Sequence, residues 1–198
     1  MSDAPTLSFR IFRALLYRRR QMRTKTVIAA VLASVLVLSA TAGRASAHRA
    51  HWRAATSEEL RRVIPARAPV IKENIETEFR TASGVTDGRG RFIASVVMIT
   101  AGYSADGQYS HFFITQAPLR VGDFDLPSGQ YVFGYKRVDD DTIHVNFYRA
   151  ASGEAVGEAD AHRGGKGLPV RSLLVAPPVG GRATIQIGRF LLDYRVNE

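Results

Sequence analysis

From residue 91 to the end of the chain, turn-forming residues recur every few positions, and nothing between them has the length or period of a helix. The breaks are Ser104-Ala105-Asp106-Gly107, Pro118, Leu126-Pro127-Ser128-Gly129, Asp139-Asp140-Asp141, Ala151-Ser152-Gly153 and the segments 163–169 and 177–181. Gly, Pro, Asp and Ser punctuate a chain because they supply positive φ, a fixed φ or a side chain that bonds its own backbone. The runs between them are rich in β-branched and aromatic residues, which suit a pleated, half-buried surface. Residues 142–149 show this most clearly, with Ile143, Val145 and Phe147 alternating with His144, Asn146 and Tyr148. A period of two puts the first three on one face of a sheet. Residues 91–101 are apolar on both faces at their centre, as in a strand covered on both sides. Short strands joined by short turns specify an antiparallel sheet rather than a parallel α/β one. The expectation is a mainly all-β domain, an antiparallel β-sandwich or barrel of about eight strands with a short N-terminal helix.

Three stretches refine that expectation. Thr56 and Glu59 stand in capping-box spacing ahead of Leu60, Val63 and Ile64. This predicts a helix over 57–63, ended by Pro65 and Pro69. Residues 70–80 fit a strand or a helix by period, and the β character of the rest favours the strand. Gly84 and the segment 87–90 read as a turn-rich break. In 182–196, Ala183, Ile185 and Ile187 share one parity while Phe190, Leu192, Tyr194 and Val196 share the other. A one-residue slip at Gly188-Arg189 restores a single apolar face, so Gly188 reads as a bulge within one strand.

The front of the chain has another logic. Met22-Arg23-Thr24-Lys25 is basic, Val27 to Leu38 is apolar, and Ala45-Ser46-Ala47 is small-x-small. That is the order of a secretory signal peptide. Twelve helical residues reach roughly 18 Å, short of a bilayer core of about 30 Å. Cleavage after Ala47 is therefore favoured over a retained membrane tether, with Ala40-Thr41-Ala42 as a competing site. The signal is complete from Met22, so residues 1–21 are either an extended basic leader or lie upstream of the true start. Arg19-Arg20 lacks the flanking residues of a twin-arginine signal. The layout expected is 1–47 signal region, 48–69 leader and short helix, and 70–198 β domain. The protein is expected to be exported, periplasmic or secreted, and to meet the membrane only transiently through the signal.

Setting that segment aside changes the charge argument. The formal net charge is +9 from 27 basic and 18 acidic residues. Residues 1–47 hold eight of the bases and one of the acids, leaving 19 bases and 17 acids, or +2. A nearly balanced domain lacks the basic footprint of a nucleic-acid binder. The chain has no cysteine, which excludes thiol nucleophiles, Cys-ligated zinc and a lipoprotein anchor.

Motifs for chemistry are sparse. With cleavage after Ala47, His48 would be the first residue and His51 would follow three on. An amine, an imidazole and a second imidazole suit copper, but the segment also reads as an unpatterned leader. His111, His144 and His162, with Asp160 nearby, lack the paired spacing of a zinc site. Ser104 is not in a G-x-S-x-G elbow. Ser110 and His111 are neighbours in a strand and are expected on opposite faces. Asp139-Asp140-Asp141 lacks the ligand spacing of a calcium loop. Gly164-Gly165-Lys166-Gly167 resembles a phosphate loop only in composition, without its spacing or following helix.

Aromatic residues give the remaining candidate. Tyr131, Phe133 and Tyr135 share one strand face, and Tyr109, His111 and Phe113 share another. Phe112 and Ile114 make the second strand apolar on its other side as well. Such a strand has either two cores or one core and one ligand site. Tyr109, His111, Phe113, Tyr131 and Tyr135 are thus the candidate cleft for an apolar or carbohydrate ligand. The run Gly122-x-x-x-Leu126-Pro127-Ser128-Gly129-Gln130-Tyr131 resembles a hairpin of secreted bacterial β-sandwich domains of unknown function. Transthyretin-like, carbohydrate-associated modules have a similar Gly-x-Tyr step. The resemblance spans Gly122 to Arg149, implies a sandwich, and carries over no catalytic residue. The resulting expectation is an exported, non-catalytic binding or envelope-associated β domain. It implies no cofactor; its partner is an unknown small molecule, glycan or protein. The alternative is a secreted hydrolase or metal-dependent enzyme whose site assembles from distant strands.

Overall fold

A computed structural model describes residues 51–100 and 108–197. The described chain forms β1 (Arg53–Ala54), α1 (Ser57–Val63), β2 (Arg67–Val70), β3 (Glu73–Thr86), β4 (Phe92–Met98), β5 (His111–Thr115), β6 (Leu119–Val121) and β7 (Phe124–Leu126). It continues with β8 (Gly129–Arg137), β9 (Thr142–Arg149), β10 (Ala155–Arg163), β11 (Arg171–Val175), β12 (Arg182–Gly188) and β13 (Phe190–Val196). The main path of the sheet runs β1-β3-β4-β5-β8-β9-β10-β13-β12-β11, and the pairings are antiparallel. The sheet curls into a nearly closed barrel. Across the seam, the Val175 amide of β11 donates to Ser83 Oγ of β3 at 2.9 Å. No helix among the described residues is long and apolar enough to cross a membrane.

The all-β class is as expected, but the described residues form 13 strands rather than about eight. Two-residue turns account for much of the excess. Ile187 pairs with Phe190 across Gly188-Arg189, so residues 182–196 are a hairpin, not one bulged strand. Gly188 has φ +63°, as hairpin turns of this kind require. Residues flanking such a turn face the same side, which produces the same change of parity as a bulge. Val121 pairs with Phe124 across Gly122-Asp123 and splits residues 119–125 in the same way. Val70 pairs with Glu73 across Ile71-Lys72, so residues 70–80 are extended, as favoured, but reverse direction at Ile71.

Helix α1 matches its sequence signature. Glu59 N donates to Thr56 Oγ1 at 3.2 Å, and Thr56 N donates to Glu59 Oε2 at 2.8 Å, completing the capping box. The helix lays Leu60 on the sheet, with Ile64 just beyond it, and both belong to an outer core with Ala68, Val70 and Ile75. The sheet's share of that core is Ala94, Val96 and Met98 of β4, Phe112 and Ile114 of β5, and Val132 of β8. The inner core occupies the barrel, where Phe113, Tyr131, Phe133, Phe147, Leu192 and Tyr194 are fully buried or within 1% of it. Strands β4, β5 and β8 are therefore buried on both faces.

Two expectations need correction here. The leader is structured from Trp52 onward: the indole is buried in the inner core beneath the Arg91 guanidinium, 5.5 Å from the ring centre, and β1 pairs with the end of β3. Gly84 is no turn residue; it lies within β3, opposite Ala94. The turn is confined to 87–90, where the buried Asp87 carboxylate accepts from Arg89 N, Arg91 N and Arg91 Nε at 2.8, 3.1 and 2.7 Å.

Candidate functional site

The five aromatic-cleft residues do not share one space. Phe113 and Tyr131 are fully buried inside the barrel, where Phe113 meets Phe147 edge-on at 6.0 Å. Tyr131 donates its hydroxyl to Pro127 O at 2.7 Å, pinning the turn before β8. Tyr109 belongs to the outer core and meets Tyr148 edge-on at 5.4 Å. A bulge separates Tyr109 from Phe113 despite their shared parity. Ser110 N donates to Phe133 O, and Phe133 also pairs with His111, so two residues oppose one and the alternation slips. His111 stacks on Phe133 at 4.5 Å, and Tyr135, 40% exposed, lies 6.1 Å from it. What the sequence left open between two cores and a core plus a site is resolved as two cores for this strand.

The same bulge overturns the expectation for Ser110 and His111. Their side chains meet, with Ser110 Oγ 2.8 Å from His111 Nδ1. This contact does not make an activated serine. Burial pushes the His111 imidazole down to about 3, and Nε2 is buried without a hydrogen-bond partner. A base protonated only near pH 3 has little power to take a hydroxyl proton at neutral pH. Among the described residues, no carboxylate pairs with either ring nitrogen to stabilise an imidazolium.

A second histidine has the opposite surroundings. His144 of β9 meets Asp160 through Nδ1 at 2.7 Å and Glu158 through Nε2 at 3.2 Å, both on β10. The hydrogen bond to Asp160 raises its pKa above the ordinary histidine value, with Glu158 adding to it and partial burial opposing. Both ring nitrogens are thus engaged by carboxylates. A neighbouring hollow of about 260 Å³ is lined by Asn146, Tyr148 and Glu158 among others. No group of three or more His, Asp or Glu among the described residues is arranged to hold a metal. His51 is exposed, whereas Ala47, His48 and the 104–107 loop lie outside the described residues.

The glycine-rich loop between β10 and β11 forms the most distinctive surface feature. A hollow of about 350 Å³ is lined by Arg163, Lys166, Leu168, Val170, Arg189 and the glycines 164, 165 and 167. The loop is tied down at three points. Gly164 N donates to Arg189 O at 2.8 Å, and Leu168 N donates to Gly165 O at 3.2 Å. The buried Gln186 amide donates to Pro169 O at 2.7 Å. Arg163 is fixed by Asp141 Oδ1 at 2.8 Å and by the Asp140 carbonyl. The sequence shows the loop but not Arg189, which arrives from the β12–β13 turn. The only sequence signal for that meeting is Gly188, once it is read as a hairpin turn.

No family model, curated protein or solved structure matches the chain. What the protein does must therefore be argued from its own geometry.

Proposed function

We propose that this is an exported, non-catalytic β domain that works by binding a component of the cell envelope. The observation that supports it best is the occupied barrel. Its aromatic strands, the most ligand-like feature of the sequence, are used up by two cores, and the Ser110–His111 contact inside lacks a working base. Recognition then falls to the loops at the barrel ends, and the tethered, cationic 163–170 loop is the best formed of those described. The signal-like segment ending at Ala47 supports export.

The test is equilibrium binding of the purified protein to a panel of cell-wall glycans, envelope lipids and anionic polymers. Saturable binding to one class, without turnover, is the expected result. A protein that binds nothing in the panel and behaves as an inert monomer refutes the proposal. The runner-up, a hydrolase or metal-dependent enzyme, has one observation in its favour, and it speaks for acid–base chemistry rather than a metal: His144, Glu158 and Asp160 converge from two strands beside a hollow. Stoichiometric metal in protein purified without added metal would favour that reading instead.

A further inference from the structure

We propose that the hollow under the glycine-rich loop binds a phosphate or phosphodiester oxyanion. The inference deepens the binding-domain reading above and rests on it.

Four features of the hollow converge. First, its cations come from three separate places. Arg163 ends β10, Lys166 sits on the loop, and Arg189 lies on the β12–β13 turn. Arg171 pairs with Gly188 across the ladder and so adds a fourth basic residue beside Arg189. Second, the nearby acids are already paired, Asp141 with the hollow's own Arg163 and Asp140 away from it, so the uncompensated cations are Lys166 and Arg189. Asp141 is held by Arg163 at 2.8 Å, and Asp140 by Arg137 at 2.9 Å. Among the described residues, Lys166 and Arg189 make no ion pair. Two exposed cations facing one concavity without countercharge repel each other, and an anion placed between them relieves that repulsion.

Third, the backbone has donors to spare. Gly164 N and Leu168 N are used to fold the loop, but the amides of Gly165, Lys166 and Gly167 meet no backbone acceptor among the described residues. Gly167 takes φ +94°, and a Cβ at Gly165 or Gly167 would meet nothing within 4 Å, so the loop wall is open to an approaching ligand. Consecutive free amides in a turn of this kind make a concave anion nest. Fourth, the scaffold is set before any ligand arrives, since Gln186, Arg189 O and Gly165 O hold the loop. Preorganisation lowers the ordering cost of binding.

The donor set suits a tetrahedral oxyanion better than a lone carboxylate. Arginine offers a planar fork, lysine a point charge with three donors, and the amides further single donors. A group with several equivalent oxygens can use all three kinds. A volume of about 350 Å³ holds one phosphorylated group or one repeat of a phosphodiester polymer.

The experiment compares the purified protein with K166Q/R189Q. Both side chains are exposed, so the variant should keep the parent's melting temperature. Three probes are titrated with detection by amide NMR: inorganic phosphate, a soluble glycerol-phosphodiester oligomer, and vesicles of phosphatidylglycerol against phosphatidylcholine. The expected result is saturable shifts of the 165–167 amides, weakened about tenfold or more in K166Q/R189Q and weakened further by added salt. Arg62→Gln, on the exposed face of α1, should leave the affinity unchanged. Binding of the soluble probes alone assigns a free or polymer-borne phosphate, and vesicle binding lost in the variant assigns a lipid headgroup; both support the site. Absence of saturable shifts with all three probes overturns it, as does equal affinity in K166Q/R189Q. A protein that binds an uncharged glycan but none of the phosphates keeps the binding-domain reading and loses this site.

Discussion

Replacing Gly84 with alanine tests how the helix is seated on the barrel wall. Gly84 is buried in β3, opposite Ala94 on β4, with Leu60 of α1 above it. A Cβ there would stand 2.8 Å from Ala94 Cβ, Ile93 O and Leu60 Cδ2. Carbon contacts are comfortable at about 3.5–4.0 Å, so all three are severe. Leu60 Cδ2 can rotate away, but Ala94 Cβ and Ile93 O are fixed by the β3–β4 ladder. Overpacking of this kind costs about 1–3 kcal/mol. The alanine also restricts the unfolded chain, which returns about 0.4–1 kcal/mol. The net expectation is a loss of about 1–2 kcal/mol, or a fall in Tm of roughly 2–8 °C for a domain of this size. Urea and thermal unfolding followed by far-UV circular dichroism measure it. Gly165→Ala is the control, because a Cβ there meets nothing within 4 Å; it should change stability by less than about 0.5 kcal/mol. Leu60→Ala combined with Gly84→Ala should cost less than the sum of the two, since one arm of the clash is gone. A Gly84→Ala protein as stable as its parent refutes the close seating of α1.

Two pH experiments and their signs follow from the same structure. By histidine NMR, His144 should titrate above the ordinary value near 6.5 and His111 should stay neutral down to about pH 3. The raised His144 value stabilises the fold below about 6.5 and ceases to do so as pH rises through the folded value. The depressed His111 value gives stability present above about 6.5 and lost as pH falls towards 3, by about 1.4 kcal/mol per pH unit; a His111 that titrates near 6.5 would show an open site. Asp87 works like His111 in a lower window. Burial opposes its ionisation, but hydrogen bonds from Arg91 and Arg89 outweigh that and hold its pKa below the usual carboxylate value. Its contribution is present above about pH 4 and lost as pH falls through the folded value. Asp87→Asn should flatten this part of the stability profile, and a profile unchanged in urea unfolding between pH 5 and 2.5 would refute the role.

The strand repeat, the helix and its cap were legible in the chain because they depend on neighbours a few residues apart. Thr56 and Glu59 announce α1, and Ile143, Val145 and Phe147 announce the buried face of β9. Net charge and missing cysteines likewise need no fold. The ligand-like aromatic strands misled because alternation defines two faces without saying what covers each. Only the packed molecule shows α1 and β2 taking the outer face of β4, β5 and β8. Parity also gave the same signal for a bulge and for a two-residue turn, so Gly188 was ambiguous until its hydrogen-bonded partner, the pairing of Ile187 with Phe190, was known. The reverse happened at Ser110, where a real bulge with no glycine or proline to mark it turned two neighbouring side chains together. The cationic hollow is the clearest case of a feature decided by tertiary structure. Lys166 and Arg189 are distant in sequence, and only the pairing of β10 with β13, which sets Arg163 opposite Phe190, brings their loops to one rim. Local pattern fixes which segments extend or coil, whereas a site is a meeting of segments whose separation the pattern does not encode.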